Sequence, residues 1–275
     1  MKRPCFTLLV TLLSIKVILA QEIRWSHRLT CDSLTISLVD FDNEDNLFTA
    51  DNEGNITVFY HTSPDSTNLY SPSFQGMLQQ LEASKTLNIF TFSRDLQQIE
   101  ILDRFLKPLY SARLTSSNFG NIRAASLGNN LKIWLFDESN YHLLQWDYQR
   151  NTVLQDQPLN LIIPGGSWTV REILESKNMV FINAGEKGIF LLDNQSNYLG
   201  NLPIVTDQKL AVHGNHLLHI EENMLIITNY LSGASKKTPL PQPATAVAIG
   251  KETVAFYTID HVSSYDLPDN LFTIE

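Results

Sequence analysis

Acidic side chains recur at one kind of place in this sequence. Asp51, Glu53, Asp95, Asp137, Glu138, Glu186, Glu221, Glu222 and Asp260 fall in short polar stretches between apolar runs, against Arg94, Lys187 and a near-neutral His261. Carboxylates that converge can hold a divalent cation such as calcium, or present a field to a basic partner surface. The same residue types are ordinary turn formers, so their chemistry depends on whether the fold gathers them. Phe119 and Trp168 stand in or beside connections that lead into later apolar runs. In a pocket mouth such rings anchor a ligand or stack on a sugar; between packed sheets they fill core.

His213, His216 and His219 invite a metal reading that their spacing opposes. Metal ligands must converge. His213 and His216 flank a turn, and an odd separation on one strand points His216 and His219 to opposite faces. The chain holds no G-x-S-x-G elbow, no H-E-x-x-H, no C-x-x-C and no phosphate-binding glycine loop. Gly165-Gly166 reads as a flexible connection. No catalytic residue, metal ligand or cofactor site is assigned, and the one ion in view is a divalent cation in a central channel.

The elements that must position these residues are short strands. Leu47–Tyr60, LFTADNEGNITVFY, places two β-branched and aromatic runs around a turn in which Gly54 can take positive φ, the mark of a β-hairpin. Similar hairpins recur at Leu87–Asp103, Leu131–Asp147, Met179–Asp193, Leu217–Asn229 and Thr253–Asp266. Before each comes an apolar strand: Thr35–Val39, Met77–Leu81, Ile122–Leu127, Val170–Leu174, Leu210–Val212 and Ala244–Ile249. After each comes a more polar one, such as Leu109–Leu114, Val153–Leu159 or Tyr198–Ile204. Most of the third strands end on Asp or Asn (Asp103, Asp147, Asp193, Asn229, Asp266), which can bond the backbone of the next turn.

Four antiparallel strands repeated about six times, at intervals of roughly 36 to 47 residues, predict an all-β fold, a β-propeller of six blades. A β-sandwich would not explain the in-register turns. The ring is expected to be closed by the N-terminal strand in the last blade, with a C-terminal closure as the alternative. Ile23–Leu29 could complete the last blade from the N-terminus, or Leu271–Ile274 could fill that place.

The ends and the composition set the compartment. Residues 1–20 have a basic start, an apolar run and a small residue at Ala20, and read as a signal peptide cleaved after it, leaving 21–275 as a single domain. No later stretch is apolar enough to span a membrane. Cys31 is then the one remaining cysteine, so no internal disulfide forms and the fold rests on its core. The three bases and no acids of the leader take the formal charge from −9 to −12 on cleavage. An acidic protein repels phosphate backbones, which excludes nucleic acid as a partner.

Over nearly all of Ile23–Glu275 the chain resembles the exported β-propeller proteins of Gram-negative bacteria, in architecture and not in motif. Trp146-Asp147 stands where WD40 proteins carry their Trp-Asp pair, but it occurs once and the Gly-His partner is absent. The resemblance implies an exported, periplasmic or secreted, non-catalytic module that binds another protein of the cell envelope. The alternatives are a small-ligand or glycan-binding propeller, and a metal-dependent hydrolase, lactonase-like enzyme or lyase whose acids come from several blades.

Overall fold

Runs of β-branched, aliphatic and aromatic residues broken by Asp, Asn and Gly can bury themselves only as sheets, and a sheet apolar on both faces needs a neighbour on each side. A computed structural model, which describes residues 23–32, 35–85, 88–116, 119–163 and 168–273, shows how this chain solves that problem. The leader and Gly165-Gly166 lie outside the described residues.

Strand β1 (His27–Asp32) comes first and belongs to the last blade. Blade one is β2 (Leu38–Phe41), β3 (Leu47–Ala50), β4 (Ile56–Tyr60) and β5 (Ser63–Tyr70). Blade two is β6 (Gln80–Glu82), β7 (Asn88–Ser93), β8 (Gln98–Asp103) and β9 (Pro108–Arg113). Blade three is β10 (Ile122–Leu127), β11 (Lys132–Asp137), β12 (His142–Asp147) and β13 (Thr152–Pro158), followed by one helical turn, α1 (Leu159–Ile162). Blade four is β14 (Glu172–Ser176), β15 (Met179–Asn183), β16 (Ile189–Asp193) and β17 (Tyr198–Leu202). Blade five is β18 (Ala211–His213), β19 (His216–Glu221), β20 (Met224–Asn229) and β21 (Ser235–Pro239). Blade six is β22 (Ala246–Ile249), β23 (Thr253–Tyr257) and β24 (His261–Asp266), completed by β1. The chain is thus a six-bladed propeller of four-stranded antiparallel sheets. Several inner strands begin two or three residues later than the apolar pattern predicts; Leu38–Phe41 replaces Thr35–Val39 and Gln80–Glu82 replaces Met77–Leu81, because the earlier residues bridge from the preceding blade.

Six apolar clusters fill the six interfaces between blades. Blades three and four, for instance, close on Trp134, Phe136, Ile173 and Phe190. Burying one such side chain contributes about 1.5–3 kcal/mol. The outer strands β9 and β13 are mostly exposed, as a free edge should be. Gly54 has φ +84°, and a Cβ there would press on the Gly76 carbonyl, so the hairpin turn requires glycine. The Asp and Asn at the ends of the third strands hold their turns as expected. Asp103 accepts from the N–H groups of Phe105 and Lys107, Asp193 from Gln195 and Asn197, Asn229 from Leu231 and Ser232, and Asp147 from Arg150. Asp266 differs, since no fourth strand follows it; it pairs with Arg28 of β1.

The ring is closed from the N-terminus, by His27–Asp32 and not by the expected Ile23–Leu29. Leu29, Thr30, Cys31 and Asp32 face Ser264, Ser263, Val262 and His261 of β24. Leu271 is buried in the core between blades five and six, and Phe272 stacks on His213 and His216 with centroids 4.9 Å away. Residues 271–273 therefore pack against the last two blades without joining a sheet, and Ile274 lies outside the described residues. Both histidine rings are used as packing surface, and burial lowers their pKa values. His219 lies inside β19, also buried.

A second fastening crosses the same seam. Asp45, in the first turn of blade one, accepts hydrogen bonds from Lys251 N–H (2.7 Å), Glu252 N–H (3.0 Å) and Thr253 Oγ1 (2.7 Å) of blade six. A Cβ at Gly250 would overlap Asp45 Oδ1, so this approach needs glycine. Asp45→Ala leaves three donors unanswered and should cost about 2–3 kcal/mol, a fall in melting temperature of roughly 5–10 °C by calorimetry. An unchanged melting temperature would show that water replaces the carboxylate without loss.

Candidate functional site

Antiparallel four-stranded blades place their turns on two faces. The second turns and the connections between blades share the upper face; the first and third turns share the lower one. The inner strands all run from upper to lower face around a central channel.

The upper face does collect the acidic loops, one or two residues from each blade, but it puts most of them to structural use. Asp51 closes its own turn, accepting from Glu53 and Asn55 N–H and from the Asn55 amide. Asp137 is 2% exposed and accepts from Gly120 N–H, Ser139 N–H and the Asn140 amide, so it serves as an internal cap. Basic residues answer several of the rest: Arg94 lies 3.6 Å from Asp95, its neighbour in the same turn, while Arg123 and Lys237 come from other strands to within 2.8 Å of Glu138 and 3.1 Å of Glu221. Arg171 of the same face pairs with Asp207. Glu186 and Glu222 stay exposed, as does Asp260, which accepts from Thr258 Oγ1 at 2.7 Å. Glu53 is exposed, with amide contacts from Asn55 and Gln75 at 3.4 Å. The result is scattered carboxylates and not a converging ring. Among the described residues no three His, Cys, Asp or Glu side chains are placed to hold a metal ion.

The two aromatic residues pack between elements. Trp168 is 9% exposed, 4.7 Å from the Phe190 ring and 5.8 Å from Tyr141, whose hydroxyl accepts the Trp168 N–H at 2.7 Å. Phe119 meets the edge of Trp146 at 5.5 Å in the core between blades two and three. Trp146 donates its indole N–H to Asn151 Oδ1, and Asp147 holds Lys132, so that pair too is architectural.

The rim holds a feature that hydropathy could not reveal. In β9, β13 and β17 the register slips by one residue, and the bulged residue is a leucine each time: Leu109, Leu154 and Leu199. They lie forty-five residues apart in sequence and at one equivalent place in three successive blades. They are 55%, 47% and 54% exposed. A bulge bends its strand and re-aims the side chain it carries. Exposed Val153 and Tyr198 flank the second and third leucine. On blade six the equivalent bulge carries Arg28, and β21 of blade five carries Lys236 and Lys237 with an unbroken register. Blades two to four thus put leucine at the bulge where blade six puts arginine. The spacing of the three leucines is visible in the sequence; that they are bulged is decided by pairing across strands.

The channel is lined by groups that sequence reasoning did not single out: Asp40, Gln80, Glu82, Lys85, Glu172, Glu175 and Lys209. Lys209 reaches across from blade five to the Leu81 carbonyl of blade two and lies 3.6 Å from Asp40 Oδ2. Gln80 bridges to Glu82 Oε1 at 2.8 Å. Glu172 Oε2 accepts from Leu210 N–H at 2.8 Å, while its Oε1 has no partner among the described residues. Burial pushes the Glu172 carboxyl up to about 7 against the pull of Lys209, and burial raises Asp40 as well. Four carboxylates face two ammoniums here, an acceptor-rich interior.

No protein-family model matches the chain, and no curated protein does. Among solved structures, the WD40 domain of Neurospora crassa Pan2 aligns with a TM-score of 0.61 over 90% of this chain and 97% of that domain, at 11% identity. The β-propeller domain of Myceliophteria thermophila Cps50 (Swd1) aligns with a TM-score of 0.62 over 89% of this chain and all of that domain, at 8% identity. Blade geometry is shared where sequence is not, and the chain is a six-bladed β-propeller similar in fold to WD40 domains.

Proposed function

We propose that this protein is an exported, non-catalytic interaction module of the bacterial cell envelope, which holds another protein against the rim of blades two to four. The observation that carries the reading is the ladder of Leu109, Leu154 and Leu199, presented by the same bulge in three blades. A single exposed leucine needs no explanation. Three at one structural position form a surface that another protein can cover. The export half of the reading rests on residues 1–20, and the envelope is where such a leader would deliver the chain. Among the described residues no helix is long and apolar enough to cross a membrane. The exposed acids Glu53, Glu186, Glu222 and Asp260 would speed the approach of a basic partner, with a share that falls as salt rises.

The test is crosslinking in the native envelope followed by purification, with the intact protein and with a Leu109→Gln, Leu154→Gln, Leu199→Gln triple variant. One dominant partner is expected with the first, and about tenfold less of it with the second, equivalent to roughly 1.4 kcal/mol of binding. The melting temperature of the variant should stay within about 2 °C, since the three side chains are largely in water. Equal recovery from both proteins would sink the rim as the docking surface. Rim-dependent flotation with lipid vesicles, without a protein partner, would replace the reading with a membrane one.

A further inference from the structure

The lower end of the channel holds a cavity of about 300 Å³ with two unlike walls. Val212, Val247 and Ile249 make one wall aliphatic, while Glu82, Lys85 and Glu175 make the other charged. Glu82 and Glu175 come from blades two and four and are each 2% exposed. Lys85 Nζ lies 3.0 Å from Glu82 Oε2 and 3.5 Å from Glu175 Oε2. The same ammonium donates to the Leu127 carbonyl and stands 3.3 Å from Ser126 Oγ. An ammonium has three hydrogens, and this one is surrounded by four acceptors. Among the described residues neither Glu82 Oε2 nor Glu175 Oε2 has a hydrogen bond of good geometry. The wall is therefore short of a donor, and two carboxylates against one ammonium leave it short of a positive charge. Lys209 is committed to Asp40 and Leu81, and Lys177 sits exposed at the mouth, in water.

We propose that this cavity binds a primary alkylammonium group, its charged head on the cavity side of Glu82 and Glu175, beside Lys85, and its methylene chain along Val212, Val247 and Ile249. Water would supply donors without charge. A quaternary ammonium would supply charge without donors. A bare metal ion finds no three converging ligands among the described residues. The aliphatic wall adds a reason for an alkyl chain, because it buries apolar surface that ammonium alone cannot cover. The group can belong to a free amine or to a lysine side chain of a partner protein, and the site stands apart from the rim leucines, so the rim reading can fail while this one holds.

Titration calorimetry and thermal shift at pH 8 test it, with n-butylamine, 1-butanol, butyltrimethylammonium and N-acetyl-lysine methylamide as probes. Butylamine is expected to bind in the millimolar range or tighter and to raise the melting temperature. Butanol and butyltrimethylammonium should bind about tenfold more weakly or not at all. Glu82→Gln and Glu175→Gln, which keep shape and remove charge, should each weaken butylamine about tenfold. Val212→Phe, which fills the apolar wall and leaves both carboxylates, should abolish binding even if an amide variant folds poorly. Binding of the lysine derivative alongside butylamine points to a side chain as the natural source; exclusion of it while butylamine binds points to a free amine. No heat with butylamine, equal binding of butanol, or affinity indifferent to all three variants would overturn the proposal.

Discussion

A chain lacking residues 23–32 should melt at least about 10 °C below the intact protein. The segment is small, but it carries the closure. Its loss strips β24 of its partner from His261 to Tyr265 and removes Trp25, whose ring meets Phe256 at 5.2 Å and Tyr265 at 6.1 Å. Leu29 and Cys31 leave the core between blades six and one. That core is already the slightest in character, built partly from Ala246, Ala248 and Ala255, beside a cleft of about 410 Å³ that Arg28, Asp45 and His61 line. Apolar burial and edge hydrogen bonds together are worth roughly 5 kcal/mol here, and in a domain of this size each kcal/mol moves the midpoint by about 2–4 °C. Hydrogen exchange should show β22–β24 and β2 opening first, since the seam is where the ring has least to lose. A melting temperature within about 3 °C of the intact chain would show that Asp45 and the C-terminal segment close the ring without β1.

The second large effect runs the other way: Glu172→Gln should stabilise the protein at pH 8. Glu172 is 8% exposed, in the channel, with one oxygen bonded to Leu210 N–H and the other without a hydrogen bond among the described residues. Burial lifts its carboxyl from 4.5 to about 7, with the Glu82 charge adding to the rise. A group whose folded pKa is raised contributes fully below its unfolded pKa and loses that contribution as pH climbs through the folded one. The intact protein should therefore lose stability between about pH 4.5 and 7, by on the order of 3 kcal/mol from this group. Glutamine keeps the acceptor for Leu210 and stays neutral. Its gain should reach about 2–3 kcal/mol at pH 8 and vanish near pH 4. Asp40 is also raised by burial, so a weaker slope of the same sign should survive in the variant. Denaturant titrations across this range check it, and parallel curves for the two proteins would mean that Glu172 ionises as freely as it does in water.

These two effects lie at opposite ends of what the chain reveals on reading. The strands and turns are local matters. A run such as KIWLFD at Lys132–Asp137 has nowhere to go but a sheet buried on both faces, and the Asp four residues before an Asn at Asp51 and Asp193 closes its own turn. Repetition of such units leaves a ring as the one way to cover every face, and the apolar-polar alternation near the N-terminus marks the strand that shuts it. So the fold class and the number of blades were determined by the sequence by itself, while the pairing of His27–Asp32 with β24 decided which end closes the ring.

Function-bearing detail was decided by tertiary structure, because it depends on neighbours brought in from other strands, in the same blade or across the ring. Asp137 and Glu138 adjoin each other in sequence, yet one caps Gly120 from within while the other meets Arg123 on the surface. Trp168 reads as an exposed anchor until Phe190 and Tyr141 close over it. Leu109, Leu154 and Leu199 look like strand residues of an apolar face; only the register against β8, β12 and β16 turns them outward. The channel carries the same lesson furthest. Glu82, Lys85, Glu175 and Lys209 sit in three blades, and no periodicity in any one of them announces that ring closure will press their charges together out of water.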